Sequence, residues 1–320
     1  MQDGAAHERF EREMKRMRVL VTGASGFVGQ KLLAALAPAH EVVALDTRAP
    51  GAVPASVAFF EGDLRDNSLV DAAIGNGVDA VVHLATIPGG GAEQDPTTAF
   101  SVNVAASVNL LSRACDGRRP RIVFASSIAI FGENLPPCVD DGTPARPRMV
   151  YGAHKLMMEQ WLATMSRRGS CEAISLRIPG IVARPSGPSG MKSAFLSDVF
   201  HALSAGRRFV SPVSPTATTW LMSGSKIVEN LWHGLFADGP FGEPYAITLP
   251  AVRTSMQSLV AEIARQADRD PSLVEYEPDP LLEAGFGNQP ELMTPAADRT
   301  GFSSDGTLVA LVRRVLSDLE

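Results

Sequence analysis

The chain has 320 residues, 45% of them hydrophobic and 20% charged, with a formal net charge of −6. That is ample for a large core, read as one domain with an appended lobe. No apolar run approaches the ~20 residues needed to span a bilayer, no secretory signal is visible, and mild acidity without a basic block argues against nucleic acid as the main partner. Cys115, Cys138 and Cys171 are odd in number and lack metal-like spacing, and His7, His40, His83, His154, His201 and His233 are scattered. The expectation is a cytoplasmic protein with reduced thiols and no metal.

Residues 1–16 form a charged, nearly core-free extension, read as frayed helix or disorder, with Met17 as an alternative start. Arg18 to Thr22 is a short β-rich run that stops at Gly23-Ala24-Ser25-Gly26-Phe27-Val28-Gly29. A helical pattern through Leu32, Leu33 and Leu36 follows, then a second strand, Glu41 to Leu45, ending at Asp46. Strand, glycine turn, helix, strand, acid is the order a dinucleotide-binding unit requires. Gly23 allows the tight turn, Gly26 lets the backbone approach a pyrophosphate, and Gly29 lets the helix sit close on the sheet. The helix N-terminus offers amides and a positive dipole end to that anion. Asp46 is placed to accept hydrogen bonds from the adenosine ribose and to repel a 2′-phosphate, so the cofactor is read as NAD; Arg48, two positions on, keeps NADP as the alternative.

Further along, strands are expected at Val57–Phe60, Ala80–Ala85, Arg121–Ser127, Ala173–Arg177 and Tyr245–Leu249. Helices are expected at Leu69–Ile74, Phe100–Ala114, Lys226–Phe236, Met256–Ala267 and Leu308–Leu319. Continuous apolar strands between amphipathic helices predict an α/β, Rossmann-type, doubly wound parallel sheet covered on both faces. The expected division is residues 17–180 for the NAD-binding domain and 181–320 mainly for a smaller substrate-binding lobe, with segments near 218–250 returning to the sheet. Ligands bind beyond the C-terminal strand ends in such sheets, where Asp63, His83 to Thr86 and Ser126 to Ser127 fall.

Tyr151 and Lys155 stand one helical turn apart, on one face. A nearby cation stabilises a phenolate, which makes Tyr151 a candidate proton acceptor for an alcohol being oxidised. Alone the pair is a weak pattern; downstream of the glycine turn and the strands it becomes informative.

Taken in order, Thr22 to Gly29, Gly62-Asp63-Leu64-Arg65-Asp66, His83-Leu84-Ala85-Thr86, Asn103-Val104, Ala125 to Gly132 and Tyr151 to Lys155 resemble the extended short-chain dehydrogenase/reductases, the NAD-dependent epimerase/dehydratase family. The resemblance is strong from Met17 to about Arg184 and looser beyond. It implies a catalytic set of Ser127, Tyr151 and Lys155, with Ser126 as the fallback serine. It also implies that Lys155 holds the nicotinamide ribose and depresses the Tyr151 pKa. Ser25, Phe27, Val28, Asp63, Leu64, Leu84, Ala85, Thr86, Ser126 and Pro179 would line the cofactor, and Asn103 would position the site.

For substrate, nucleotide-sugar epimerases and dehydratases share these motifs, but Gly180 stands where they carry an asparagine. A closer likeness is to the D-erythronate dehydrogenase group, through Ser166-Arg167-Arg168-Gly169, Leu176-Arg177-Ile178-Pro179, Arg184-Pro185, Ser193-Ala194-Phe195, Ser211-Pro212-Val213 and Trp220 to Ser223. Gly180 and Pro88-Gly89-Gly90-Gly91 depart from that group's pattern. A small hydroxy acid needs a cation for its carboxylate, and Arg184 is the candidate. Lys192 and Ser193 adjoin Ser186-Gly187-Pro188-Ser189-Gly190, a stretch able to close as a lid. Arg177 reads as structural. The expected activity is NAD-dependent oxidation of a sugar-acid C2 hydroxyl to a 2-oxo acid. A nucleotide-sugar epimerase/dehydratase and a non-catalytic NAD(P) sensor are the alternatives. The likeness also allows a homodimer through a helix pair.

Overall fold

The computed structural model describes residues 16–51, 53–185 and 192–319. The extension before Arg16 and the expected lid at Ser186–Gly190 lie outside the described residues. The strands β1 (Arg18–Thr22), β2 (Glu41–Asp46), β3 (Val57–Glu61), β4 (Ala80–His83), β5 (Arg121–Ser127), β7 (Glu172–Ile178) and β11 (Ala246–Thr248) form one sheet, ordered β3-β2-β1-β4-β5-β7-β11. Every neighbouring pair runs parallel. The chain winds outward from β1 in both directions, so the order reverses between β1 and β4 and opens a crevice at their C-terminal ends.

The predicted two-sided burial has a direct residue-level form. Val19 and Val21 of β1 join one core, with Leu32 and Leu33 of α1 (Phe27–Leu36). Leu20 between them joins the opposite core, with Val70 of α2 (Asn67–Ile74). Successive strand side chains point to opposite faces, and a sheet with helices on both faces buries each of them.

Between β4 and β5 the chain forms α3 (Gly89–Gln94), α4 (Pro96–Phe100), a π-helical turn (Ser101–Ala106) and α5 (Ser107–Ala114). The helix expected to begin at Phe100 therefore starts earlier and is widened in its middle. At that bulge Asn103 accepts a hydrogen bond from Ile87 N–H (2.6 Å) and donates one to Ile87 O (3.0 Å). Helical π-bulges are frequent beside functional sites. After β5 come a 3₁₀ turn (Ile128–Ile130), the short strand β6 (Cys138–Val139) and the 18-residue α6 (Val150–Arg167).

The rest is smaller and mixed. β8 (Gly180–Val182), β10 (Thr218–Ser223) and β12 (Val252–Ser255) make a separate three-stranded sheet. β9 (Phe209–Ser211) pairs with β13 (Val274–Tyr276), and β6 pairs with β14 (Glu291–Leu292). Helices α7 (Phe195–Ser204), α9 (Met256–Ala267) and α12 (Leu308–Leu319) pack on this lobe's own core, through Phe200, Leu259 and Leu311. The short helices α10 (Pro280–Phe286) and α11 (Pro295–Arg299) complete the order. Of the 218–250 segment, β11 adds the seventh strand of the large sheet. Helix α8 (Gly224–Phe236) covers that sheet's β1-side core, while β10 stays in the smaller sheet. No described helix is long and apolar enough to cross a membrane.

Candidate active site

The first βα turn is as tight as its glycines predict. Gly23 has φ +67°, and a Cβ there would lie 2.6 Å from Ala85 N. A Cβ on Gly29 would meet Gly23 O at 2.3 Å, so no larger residue fits where the helix rests on the turn. The first helical hydrogen bond is Gln30 N–H to Gly26 O (2.9 Å). The amides of Phe27, Val28 and Gly29 therefore precede the ladder and point outward as at any helix start. Asp46 closes the turn: its Oδ2 accepts from Ser25 N–H (2.9 Å) and its Oδ1 from Arg48 N–H (3.4 Å), while the Ser25 hydroxyl donates to Arg48 O. A cradle that any Cβ would fill, an amide-bearing helix start and a carboxylate at the end of β2 fit a dinucleotide.

The neighbouring predicted positions have definite placements. Asp63 is held in its charged form, its pKa lowered chiefly by the side-chain hydrogen bonds from Arg65 (3.0 and 2.6 Å). Leu64 turns its side chain into the core. Leu84 and Ala85 are half-buried at the end of β4, where Ala85 N–H donates to Thr22 Oγ1 (3.3 Å); the Thr86 hydroxyl reaches Ile87 O (3.4 Å). Pro179 is buried between β7 and β8.

Ser127 ends β5, and Tyr151 and Lys155 lie in the first two turns of α6. What lets them approach is Gly152, where a Cβ would sit 2.4 Å from Ala129 O. The two adjacent serines part ways, as strand geometry demands. Ser127 Oγ accepts from Ala129 N–H (3.1 Å) and lies close enough to the Tyr151 side chain to act on its pKa. Ser126 is buried and donates to Glu159 on the far side. Burial pushes the Tyr151 pKa up, opposed first by the charge of Arg184 and then by Ser127. The sequence assigned that opposing role to Lys155; here the first opposing charge is Arg184, two residues past the end of β8. Arg184 in turn is lowered by its own burial and raised by Tyr151.

Lys155 is 3% exposed, its ammonium 4.7 Å from the Phe124 ring centroid and 5.4 Å from that of Tyr151. Burial draws its pKa down to about 7, against the pull of Glu159. Beneath it, His83 is pinned between Thr22 Oγ1 (2.7 Å) and Ser107 Oγ (2.8 Å). Burial first, then the Lys155 charge, lowers its pKa to about 3, so it is neutral. Asn103, with both ends of its amide on Ile87, positions the loop after β4. Lys192 is exposed and Ser193 half-buried on the turn Lys192–Ala194 that leads into α7.

Two acids escaped the sequence reading. Glu93 accepts from Val150 N–H (2.7 Å), capping α6, whose Met149 cap has no side-chain hydrogen bond. Glu159 pairs with Arg177 through Nη2–Oε2 (2.9 Å) and Nε–Oε1 (3.1 Å). Glu159 had a sequence signal, standing one helical turn after Lys155 on the same face. Glu93 had none. The departure at Gly180 also has a steric reason: its Cβ would lie 3.0 Å from Trp220 O, where β8 runs beside β10.

Sheet order, glycine cradle and acid together define a dinucleotide-binding enzyme fold. The family model described as "NAD dependent epimerase/dehydratase family" matches residues 19–220. The chain belongs to that family, and its cofactor is NAD. A D-erythronate dehydrogenase of Cupriavidus necator is 32% identical, over 94% of this chain and 98% of that one. One from Haemophilus influenzae is 32% identical over 78% of this chain and 82% of that one. Among solved structures, the nucleoside-diphosphate-sugar epimerase of Agrobacterium tumefaciens superposes with a TM-score of 0.84 at 26% identity, over 95% of this chain and 94% of that one.

Proposed function

We propose that this chain oxidises the C2 hydroxyl of a small sugar acid, D-erythronate or a close analogue, to the 2-oxo acid. The observation that carries the reading is the near full-length likeness to D-erythronate dehydrogenases. In a 2-hydroxy acid the carboxylate is one bond from the reacting carbon, so the cation that binds it must stand beside the catalytic base. The influence of the Arg184 charge on Tyr151 agrees with that requirement. A nucleotide sugar without a carboxylate on its sugar carries its charge on phosphates remote from the reacting carbon and needs no cation there.

Tyr151, once ionised to the phenolate, accepts the hydroxyl proton, and Ser127 orients the same oxygen by hydrogen bonding as it becomes a carbonyl. Arg184 grips the carboxylate with its planar fork and aligns C2. Lys155 holds the nicotinamide ribose. The glycine turn at Gly23 to Gly29 takes the pyrophosphate and Asp46 the adenosine ribose. NAD, when bound, supplies the acceptor for the C2 hydride.

The test is NADH formation with a panel of C4 to C6 sugar acids, with UDP-sugars as a second arm read by product analysis, because an epimerase or dehydratase returns its hydride to the sugar and leaves no net NADH. Turnover of a C4 acid is expected, and Tyr151→Phe should lower kcat by about 10²–10⁴-fold. Turnover confined to UDP-sugars moves the chain to the epimerase reading that the Agrobacterium likeness favours. NAD binding without turnover of any substrate makes it a sensor.

A further inference from the structure

Three elements meet at one carboxylate behind the site. Ser126 of β5 and Arg177 of β7 are register partners across the two strands. Above them, on α6, Glu159 is 1% exposed and accepts from both: from the Ser126 hydroxyl, and from Arg177 through Nε (3.1 and 3.2 Å) and Nη2 (2.9 Å). The Arg177 guanidinium also lies 5.6 Å from the Phe131 ring centroid. A buried ion pair of this kind gives little net stability against an apolar replacement, because desolvation offsets its attraction. What it does supply is position. Ser126 is bonded in sequence to Ser127, and Glu159 stands one turn from Lys155 and two from Tyr151.

Lys155 needs a counter-charge. The groups facing it are Tyr151, His154 and Glu159 on its own helix, the neutral His83 from β4, and Arg177 from β7 beyond Glu159. Glu159 is the anion of that set.

We propose that Glu159 is a positioning residue for the reaction described above: gripped by Ser126 and Arg177, it locks the strand end bearing Ser127 to the helix bearing Tyr151 and Lys155, and sets its carboxylate one helical turn from Lys155. This rests on the reading of the cluster as an NAD-dependent active site. Burial alone draws the Lys155 proton off toward neutral pH, and Glu159 opposes that loss. An uncharged amine would offer the ribose hydroxyls fewer donors and no charge.

The chain has five lysines, so ¹³C labelling of lysine ε-carbons gives a spectrum in which Lys155 is assigned by its loss in Lys155→Arg. The titration midpoint of Lys155 is then read in wild type and in Glu159→Gln. The expected result is a fall of about one pH unit or more, the usual size of an opposite-charge effect at close range. Because Glu159→Gln leaves Arg177 buried opposite an amide, the double variant Glu159→Gln/Arg177→Met is compared with Arg177→Met alone, so that only the carboxylate differs, with a fall in the same direction expected. An unmoved midpoint in either comparison of folded proteins overturns the proposal. The readout needs no substrate, so a failed sugar-acid panel leaves it intact, and an unmoved midpoint in an active enzyme sinks this inference alone.

Discussion

Arg184 joins the two halves of the molecule at a single side chain. Its backbone is held by α7: the Arg184 N–H donates to Ser197 Oγ (3.1 Å), and its carbonyl, which only accepts, takes a hydrogen bond from His201 Nε2 (2.6 Å). Arg184→Lys keeps the charge but loses the planar fork. A lost charge-assisted hydrogen bond is worth roughly 1.5–3 kcal/mol, so kcat/KM for the acid should drop about ten- to a hundredfold, mainly through KM. NAD affinity should stay nearly unchanged, since the glycine turn and Asp46 lie elsewhere; steady-state kinetics with NADH titration checks both. Unchanged kinetics in the folded variant would give Arg184 a structural role. What was legible at this scale was whatever local spacing encodes: Gly23 to Gly29, Asp46, and Tyr151 with Lys155. The serines needed the alternation of β5 to be told apart. The partner of Arg177 was hidden because the contact depends on strand register and helix placement, which a linear pattern does not carry.

Helix α6 is seated by contacts at its first turn. Gly152 lets it approach the turn after β5, and Glu93, from the short helix α3, caps Val150. Gly152→Ala would put a methyl group 2.4 Å from the Ala129 carbonyl, a backbone atom that cannot rotate away. Overpacking of this kind costs about 1–3 kcal/mol. The strain is relieved by moving α6 away from Ser127, so the variant should remain folded with a modest loss of Tm and a disproportionate loss of kcat. Thermal unfolding measured alongside turnover decides it; equal kcat would mean that the helix start is not what sets the Ser127–Tyr151 approach. Most helices and strands were readable from apolar periodicity. The π-helical turn at Ser101–Ala106 was not, because its cause is the tertiary hold of Asn103 on Ile87 rather than any local propensity.

On the scale of the whole molecule, chain order and spatial order disagree. Residues 17–180 carry the dinucleotide-binding unit, but the core on the β1 face also holds Ile227, Leu231, Leu235 and Phe236 of α8 and Ile247 and Leu249 at β11. Each such side chain is worth about 1.5–3 kcal/mol when buried, so the six together match or exceed the roughly 5–15 kcal/mol that separates a folded domain from its unfolded chain. A fragment of residues 17–180 should therefore fail to give the dispersed amide spectrum of a folded protein, and a well-dispersed spectrum would contradict this. The proposed reaction residues sit within one crossover, from Ser127 on β5 to Lys155 on α6, braced by Arg177 on β7. Arg184 follows the end of β8, in a different sheet, β8-β10-β12, which shares no strand with the first. Selection, in nature or in a laboratory library, can thus rewrite residues 180–183 and their β10 neighbours to accept a new acid, provided Arg184, whose charge bears on Tyr151, is kept. One crossover carries the proposed chemistry, and the rest of the other sheet is free to explore.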